Sequence, residues 1–456
     1  MSKLISKVLE YTNEYGMLPD SGLVIACVSG GADSMCMLEV LRHISYERGF
    51  SLVALHFNHQ LRGAESERDE TFVMEICEFH DIPLYVGRAD VSGIAKKYGI
   101  GIEEAGRNLR YDFFYDMAEK LNAVRIVTAH NMDDNAETML INFARGAGSN
   151  GMSGIPPVRD LVVRPLLHTT RAEIMDFIFE RNILFVEDST NGLDIYTRNK
   201  VRHLIVPLMK ELNPRFVEAA SISAEIFRAD EEFISDIADL FIADCCTGNV
   251  AIAEDLAVLP FSVSSRVIRK IYGGNLSFNH VKDVLALCLS ESPSASLSLP
   301  GMTVYREYDR IVFDAERKAN DDEFAPIYPT VGNSFVLLGL GLKVSCKSVI
   351  YDNNMNVPEY TSTFTIFLFK SLDICGKISV RPRLEGDSIK LRGQTGTKTL
   401  KKLFIEKKIP VRKRMLIPVI SDDEGVLGLF GIGVGERASP MPGDVVIQIV
   451  FEEILK

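Results

Sequence analysis

Hydrophobic positions along the first 215 residues recur with two different periods. LVIACV (23–28), LVALHFN (52–58), PLYVGRA (83–89) and VRIVTAH (124–130) are short apolar runs, too short for helices, and predict strands. The stretches between them have helical spacing. In one of them Leu109, Phe113, Met117 and Leu121 recur every four residues and form a single apolar stripe. The opening MSKLISKVLEYTNEYG predicts a short amphipathic helix. Strand and helix in alternation predict an α/β domain over 1–215, a parallel sheet with helices on both faces.

From Phe216 the pattern changes. FVEAASISAEIFRADEEFISDIADLFIADC is apolar on one side and acidic on the other, a long helix. It opens a mainly helical middle domain, 216–320, in which SLSLPGMTVYREYDRIVFD predicts a hairpin. AERKANDDEFAP (315–326) is polar and ends in Pro, which predicts a linker. Short strands and Gly-rich turns over 321–456 predict a small α+β C-terminal domain.

A parallel sheet binds ligands beyond the carboxyl ends of its strands. Three polar motifs fall there: VSGGADS, HFNHQLRG and TAHNMDDNAET. The first is a Gly-rich turn between strand and helix, Ser29, Gly30, Gly31, Ala32, Asp33 and Ser34. Its backbone N–H groups and the helix N-terminus suit a phosphate. Ser29 and Ser34 add hydroxyl donors, and Asp33 can hold Mg²⁺ against a polyphosphate. G-x-x-x-x-G-K-[ST] and G-x-G-x-x-G are both absent. His130, Asp134 and Glu137 follow the fourth strand at i, i+4 and i+7. A helix starting near Asp133 would turn both acids toward the strand end, as a site or simply as dipole-favoured first-turn acids. His56, His59 and Arg62 follow the second strand, and a metal site there would need a third ligand that the sequence does not declare.

Composition is that of an ordinary globular protein, 46% hydrophobic and 25% charged. No apolar run reaches 18 residues, so no membrane span is expected, and the N-terminus lacks a signal peptide's apolar core; cytoplasmic residence is the expectation. None of the eight cysteines forms a Cys-x-x-Cys pair. A net charge of −12 argues against a polyanionic partner. Residues 381–414 reverse that reading locally, with twelve Lys and Arg against three acids. One basic face on an acidic protein can still bind phosphates.

Ser-Gly-Gly-x-Asp-Ser in this position resembles the PP-loop of the ATP pyrophosphatases. That superfamily splits ATP between its α and β phosphates and activates a carbonyl oxygen as its adenylate. The motifs that follow, HFNHQLRG, EEAGRNLRYDFF, TAHNMDDNAETMLINFARGAGSNGMSGI, VVRPLL and VEDSTNGLDIYTRNKVRHLIVPLM, resemble in this order the tRNA(Ile)-lysidine synthases. GDSIKLRGQTGTKTLKKLFIEKKIPVRKRMLIPVI (386–420) is similar to that family's C-terminal domain. The resemblance implies a Rossmann-like domain with a PP-loop, ATP and Mg²⁺ as cofactors, and tRNA(Ile) with anticodon CAU and L-lysine as partners. It also implies a homodimer. The implied reaction ligates lysine to C2 of the wobble cytidine through an adenylated intermediate.

The same resemblance implies roles for single residues. His130 serves the α-phosphate, and Asp134 and Glu137 hold Mg²⁺ or the ammonium groups of lysine. Arg107 and Arg110, on the helix after GIEEAG, meet phosphate or developing negative charge. Asn191, Arg198, Asn199 and Arg202 meet nucleotide phosphate or the base being modified. Lys401, Lys402, Lys407 and Lys408 grip the acceptor stem of tRNA. The alternative within the superfamily is a PP-loop tRNA thiolase, many of which rely on Cys pairs.

Overall fold

A computed structural model describes residues 2–61, 63–187, 197–315, 324–352 and 364–454. The sequence-predicted positions Arg62 and Asn191, and most of the expected linker, lie outside the described residues. The chain forms two compact units, Met1–Phe233 and Ile234–Lys456. The division falls inside a single helix, Phe216–Cys245, and not at the sequence boundary after 215.

In the first unit the order is α1 (Lys3–Glu14), β1 (Leu23–Cys27), α2 (Ala32–Arg48), β2 (Ser51–Asn58), α3 (Ala64–Phe79), β3 (Leu84–Arg88), α4 (Val91–Tyr98) and α5 (Ile102–Leu121). Then come β4 (Arg125–Val127), α6 (Met132–Ala144), α7 (Ser149–Met152), β5 (Val158–Arg159), β6 (Val162–Val163) and α8 (Arg171–Arg181). After α9 (Thr197–Lys200) a π-helical turn, Val201–Ile205, leads into α10 (Val206–Leu212). The sheet order is β3-β2-β1-β4-β6-β5, parallel throughout except for the edge pair β5–β6. β1 thus lies between β2 and β4, and the chain leaves it to opposite sides. The crevice between the ends of β1 and β4 is the sheet's switch point.

Burial explains why these runs are strands. Val24, Ile25, Ala26, Ile126 and Val127 are wholly inaccessible, as a strand covered on both faces requires. On α5 the fully buried positions are Ala105, Gly106, Phe114 and Ala118. The stripe of Leu109, Phe113, Met117 and Leu121 lies half-buried at its margin. Helix and span are as the periodicity predicts, and the buried face is rotated because small residues let the helix approach β1 and β2.

The second unit holds the rest. Helices Ala253–Val258, Phe261–Tyr272 and Phe278–Leu289 pack beside a five-stranded sheet through Leu256, Val267, Ile268, Val281, Val284, Val304, Ile311 and Phe313. The expected helical character of 216–320 is therefore joined by an antiparallel sheet, and the expected hairpin is its core: 302–307 pairs with 310–315 and with 296–299. Two four-stranded antiparallel sheets follow, built around Phe367, Phe369, Ile420, Leu427 and Phe451. One helix, Leu400–Glu406, buries Leu400, Leu403 and Phe404. No helix among the described residues is long and apolar enough to cross a membrane.

Candidate active site

The loop after β1 is built for an anion. Gly31 is the N-cap of α2 and has no side chain with which to cap it, so first-turn N–H groups stay available. The Ser34 hydroxyl donates to the Gly31 carbonyl oxygen at 2.8 Å and accepts from the Ser29 N–H at 3.2 Å, which closes the turn from inside. Gly30 has φ +89°, and the Val186 N–H donates to its carbonyl oxygen at 3.0 Å. A Cβ there would sit 2.9 Å from Val186 Cγ2 and 3.3 Å from Val73 Cγ2. Gly30→Ala is therefore expected to lose about 2 kcal/mol of stability, from strain and overlap together. It should also weaken nucleotide binding, both readable by thermal melting with and without ATP.

His56 stabilises this loop from behind. It is buried, and its Nδ1 lies 2.9 Å from the Val28 carbonyl oxygen, so a neutral ring donates there. Burial lowers its pKa, which keeps it neutral. His59 packs edge-on against Phe57, with ring centroids 5.0 Å apart. Among the described residues no group of three or more His, Cys, Asp or Glu is arranged to hold a metal ion.

Asp33, in the first turn of α2, pairs with Arg171 of α8, while its Oδ1 is buried without a hydrogen-bond partner. Burial raises the Asp33 pKa against the opposing charge of Arg171, the nearby Asp134 carboxylate adds to the rise, and the Asn131 side chain works against it. A carboxylate oxygen buried without a hydrogen bond, beside a second carboxylate, would suit Mg²⁺ brought in with a polyphosphate.

Across the crevice, Asn131 caps α6. Its side chain accepts from the Asp134 N–H at 2.9 Å, and Asp134 Oδ2 accepts from the Asn131 N–H at 3.1 Å. Asp134 is thus a capping-box acid with its other oxygen turned outward. Glu137, one turn on, is 2% exposed. Arg198 Nε donates to Glu137 Oε2 at 2.8 Å, and Arg202 Nε donates to Oε1 at 2.6 Å. Both guanidinium groups also reach Asp134 Oδ1, at 3.3 and 3.2 Å. The π-helical turn that carries Arg202 follows directly on α9, which carries Arg198, and both side chains converge on one acidic pair. Asn199 is half-buried on the same short helix.

His130 lies just beyond β4, its Nδ1 3.1 Å from the Thr128 hydroxyl. Burial first, then the positive charge of Arg164, Arg198, Arg110 and Arg107, holds it well below its ordinary pKa. It is a neutral imidazole at physiological pH. Arg107 and Arg110 flank the Tyr111 ring, 5.0 and 5.8 Å from its centroid, and Arg107 is exposed.

The structure therefore brings together Ser29 to Ser34, Asp33, His130, Asp134, Glu137, Arg110, Arg198 and Arg202 in one unit. It adds two residues that sequence reasoning missed. Arg164, at the end of β6, is 2% exposed; its Nη1 donates to the Pro156 carbonyl oxygen at 2.6 Å and its Nε has no partner. A charge inside the apolar run VVRPLL was the available signal. Arg171, the partner of Asp33, is the second, and no local pattern marks it.

In the second unit Lys401, Lys402, Lys407 and Lys408 are exposed. Other members of the basic tract are neutralised: Arg381 by Asp387, Lys390 by Glu436, Lys398 by Glu406, and Arg412 by Glu307 and Asp314. The four lysines around the helix Leu400–Glu406, with the exposed Arg392 and Lys413, are thus the part of the tract open to an external polyanion.

The family described as PP-loop domain matches residues 2–209, and that described as TilS substrate C-terminal domain matches 378–449. The tRNA(Ile)-lysidine synthase of Clostridioides difficile (strain 630) is 32% identical over 452 residues, covering 95% of this chain and 96% of that protein. That of Caldanaerobacter subterraneus subsp. tengcongensis is 30% identical over 447 residues, covering 95% and 94%. Among solved structures, a U34-tRNA thiolase from Methanococcus maripaludis is 14% identical with a TM-score of 0.43, over 50% of this chain and 78% of that one. With full-length relatives at this identity and both domain families in place, the chain belongs to the tRNA(Ile)-lysidine synthase family.

Proposed function

We propose that this protein ligates lysine to C2 of the wobble cytidine of tRNA(Ile) with anticodon CAU, consuming ATP and releasing AMP and pyrophosphate. The observation that carries the reading is the placement of the SGGADS loop and the His130–Asp134–Glu137 group on either side of the switch point between β1 and β4. A phosphate cradle and a carboxylate pair facing one crevice suit an adenylation followed by attack of an amine.

The target base must leave its stack to reach such a crevice. The N–H groups at the N-terminus of α2 would take the pyrophosphate end of ATP, the Ser29 hydroxyl would turn to it from Ser34, and Ser34 would keep the turn closed. Asp33 would hold Mg²⁺, which when bound supplies charge neutralisation on the departing pyrophosphate. His130, neutral and tied through Nδ1 to Thr128, has Nε2 left to donate to an α-phosphate oxygen. Arg110 and Arg164 supply positive field where charge develops on that phosphate. AMP then leaves C2 as the ε-amine of lysine attacks.

That amine has a reference pKa near 10.4 and must give up a proton. Both acids are engaged, Glu137 at each oxygen by a guanidinium group and Asp134 by the Asn131 N–H at Oδ2 and by Arg198 and Arg202 at Oδ1, so exposure is what distinguishes them. Asp134 is the more accessible of the two, 16% against 2% exposed, and we assign it the proton. Arg198 and Arg202, bound to the acids and not directed outward, hold this pair in place. A thiolase reading has less support, since the chain carries no Cys-x-x-Cys pair and relatives named tRNA(Ile)-lysidine synthase match it over nearly its whole length.

The test is incorporation of labelled lysine into an unmodified isoleucine tRNA transcript with anticodon CAU, with ATP and Mg²⁺. A transcript with uridine at the wobble position is the control. Incorporation into the first alone is expected; sulfur transfer or no incorporation would discard the substrate assignment. For the C-terminal unit, replacing Lys401, Lys402, Lys407 and Lys408 together by Ala should weaken tRNA binding uniformly across tRNA sequences. The slope of log K against log salt should shrink by roughly three, at about 0.7–0.9 for each phosphate no longer neutralised.

A further inference from the structure

We propose that Arg171 makes cation loading at Asp33 depend on the nucleotide. In the nucleotide-free protein its guanidinium is the counter-ion of Asp33; as a polyphosphate enters the loop, the guanidinium transfers to it and releases the carboxylate to the metal. The inference rests on the reading of SGGADS as the ATP loop.

Three features single this residue out. Arg171 is the first residue of α8, next to its N-cap Thr170, where the helix dipole disfavours a cation. Glu173, in the same turn, is the acid that the dipole and the capping box favour, and both its backbone and side-chain bonds to Thr170 are made. A basic side chain at the first helical position has to find its compensation elsewhere, and it does so at Asp33. Next, the backbone and the side chain of Arg171 are held by different partners. Its backbone N–H donates to Asp133 Oδ2 at 2.8 Å, while the side chain is 44% exposed. The guanidinium can therefore swing without disturbing the helix. Finally, Asp33 Oδ2 is engaged by Arg171 while Oδ1 is buried and unpartnered. A metal ion at Oδ1 and the guanidinium at Oδ2 would share a single carboxylate charge and repel each other, and a second anion beside them relieves that repulsion. Triphosphate is that anion, and a planar guanidinium is well matched to its oxygens.

Two binding measurements on the full chain test this, without tRNA or lysine. Mn²⁺ binding is followed by electron paramagnetic resonance with no nucleotide present, and ATP binding is followed by calorimetry in EDTA. Relative to wild type, Arg171→Ala is expected to bind Mn²⁺ alone about tenfold more tightly, since a competing charge is gone. It is expected to bind metal-free ATP about tenfold more weakly, since a cation that pairs with phosphate is gone. A purely structural ion pair would leave the ATP arm unchanged, and an unchanged value in either arm overturns the proposal. If Arg171→Ala does not fold, Arg171→Lys carries the test: charge kept, so Mn²⁺ binding as in wild type, but the bidentate fork absent, so weaker ATP binding in EDTA. Equal ATP binding by that variant overturns it as well. Failure of lysine ligation by the wild-type protein would discard the reaction assignment without touching either arm, whereas failure of the wild type to bind ATP would sink both.

Discussion

Asp33→Asn is expected to lower ATP-dependent pyrophosphate release by about 10³-fold while leaving tRNA affinity and folding essentially intact. The substitution keeps the shape of the side chain and removes its charge. In the folded protein burial holds the Asp33 pKa above its ordinary value even with Arg171 alongside. A carboxylate whose pKa is raised on folding works against stability when ionised. That penalty is present at pH above the raised value and disappears as the pH falls through it. Asp33 is therefore retained against the interest of the fold, a trade typical of sites that need a charge where water is scarce. Melting temperature measured beside single-turnover pyrophosphate release separates the two effects. Loss of activity with an unchanged or raised melting temperature is the expected result. Wild-type pyrophosphate release by the variant would remove Asp33 from the cation site.

The elements that place this site were legible in the sequence because they depend on local pattern. The strands at 23–27 and 51–58 are nearly the spans that their apolar runs predict, and the helix 216–245 coincides with its periodic segment. The fourth strand, Arg125–Val127, is shorter than VRIVTAH, although the Thr128 N–H still donates to the Val163 carbonyl oxygen of β6 at 3.1 Å. The loop after β1 and the acids after β4 announce themselves through Gly spacing and a first-turn acid pattern. What the sequence could not show is who neutralises whom. Arg198 and Arg202 read as cations waiting for a nucleic-acid phosphate, and the fold instead closes them onto Asp134 and Glu137. Arg171 had no reason to be associated with Asp33, since the pair depends on where α8 comes to rest against α2. Likewise, several bases of the 381–414 tract are neutralised by acids elsewhere in the second unit, Arg412 by Glu307 and Asp314 among them. Periodicity encodes burial, whereas ion pairing between distant segments is a property of the assembled fold.

The second large effect is expected at Glu137. Glu137→Gln should reduce lysine transfer from preformed adenylated tRNA about 10²-fold, while pyrophosphate release in the preceding step falls by less than about tenfold. Three hydrogen bonds from Arg198 and Arg202 end on this one carboxylate, and it is 2% exposed. The amide keeps a single acceptor oxygen and turns an NH₂ group toward a guanidinium. It also removes half of the negative charge that balances two cations. Breaking a buried pair costs about 3–5 kcal/mol; the arginines here are 36% and 40% exposed, so a loss of ~2 kcal/mol is the expectation. The consequence for chemistry is positional. Arg198 and Arg202 already share Asp134 Oδ1, and with the Glu137 charge gone they settle more fully on that oxygen, the one that must meet the incoming ammonium. The Lys210–Asp133 pair joins α10 to the same α6 helix at 3.2 Å, and both partners are partly exposed. Lys210→Ala should therefore shift stability by at most about 1 kcal/mol and leave both half-reactions unchanged. Rates for the two half-reactions, measured separately in Glu137→Gln and Lys210→Ala, decide the matter. If Glu137→Gln slows both steps equally, the arginine–carboxylate group supports the site as a whole and does not serve the amine step in particular.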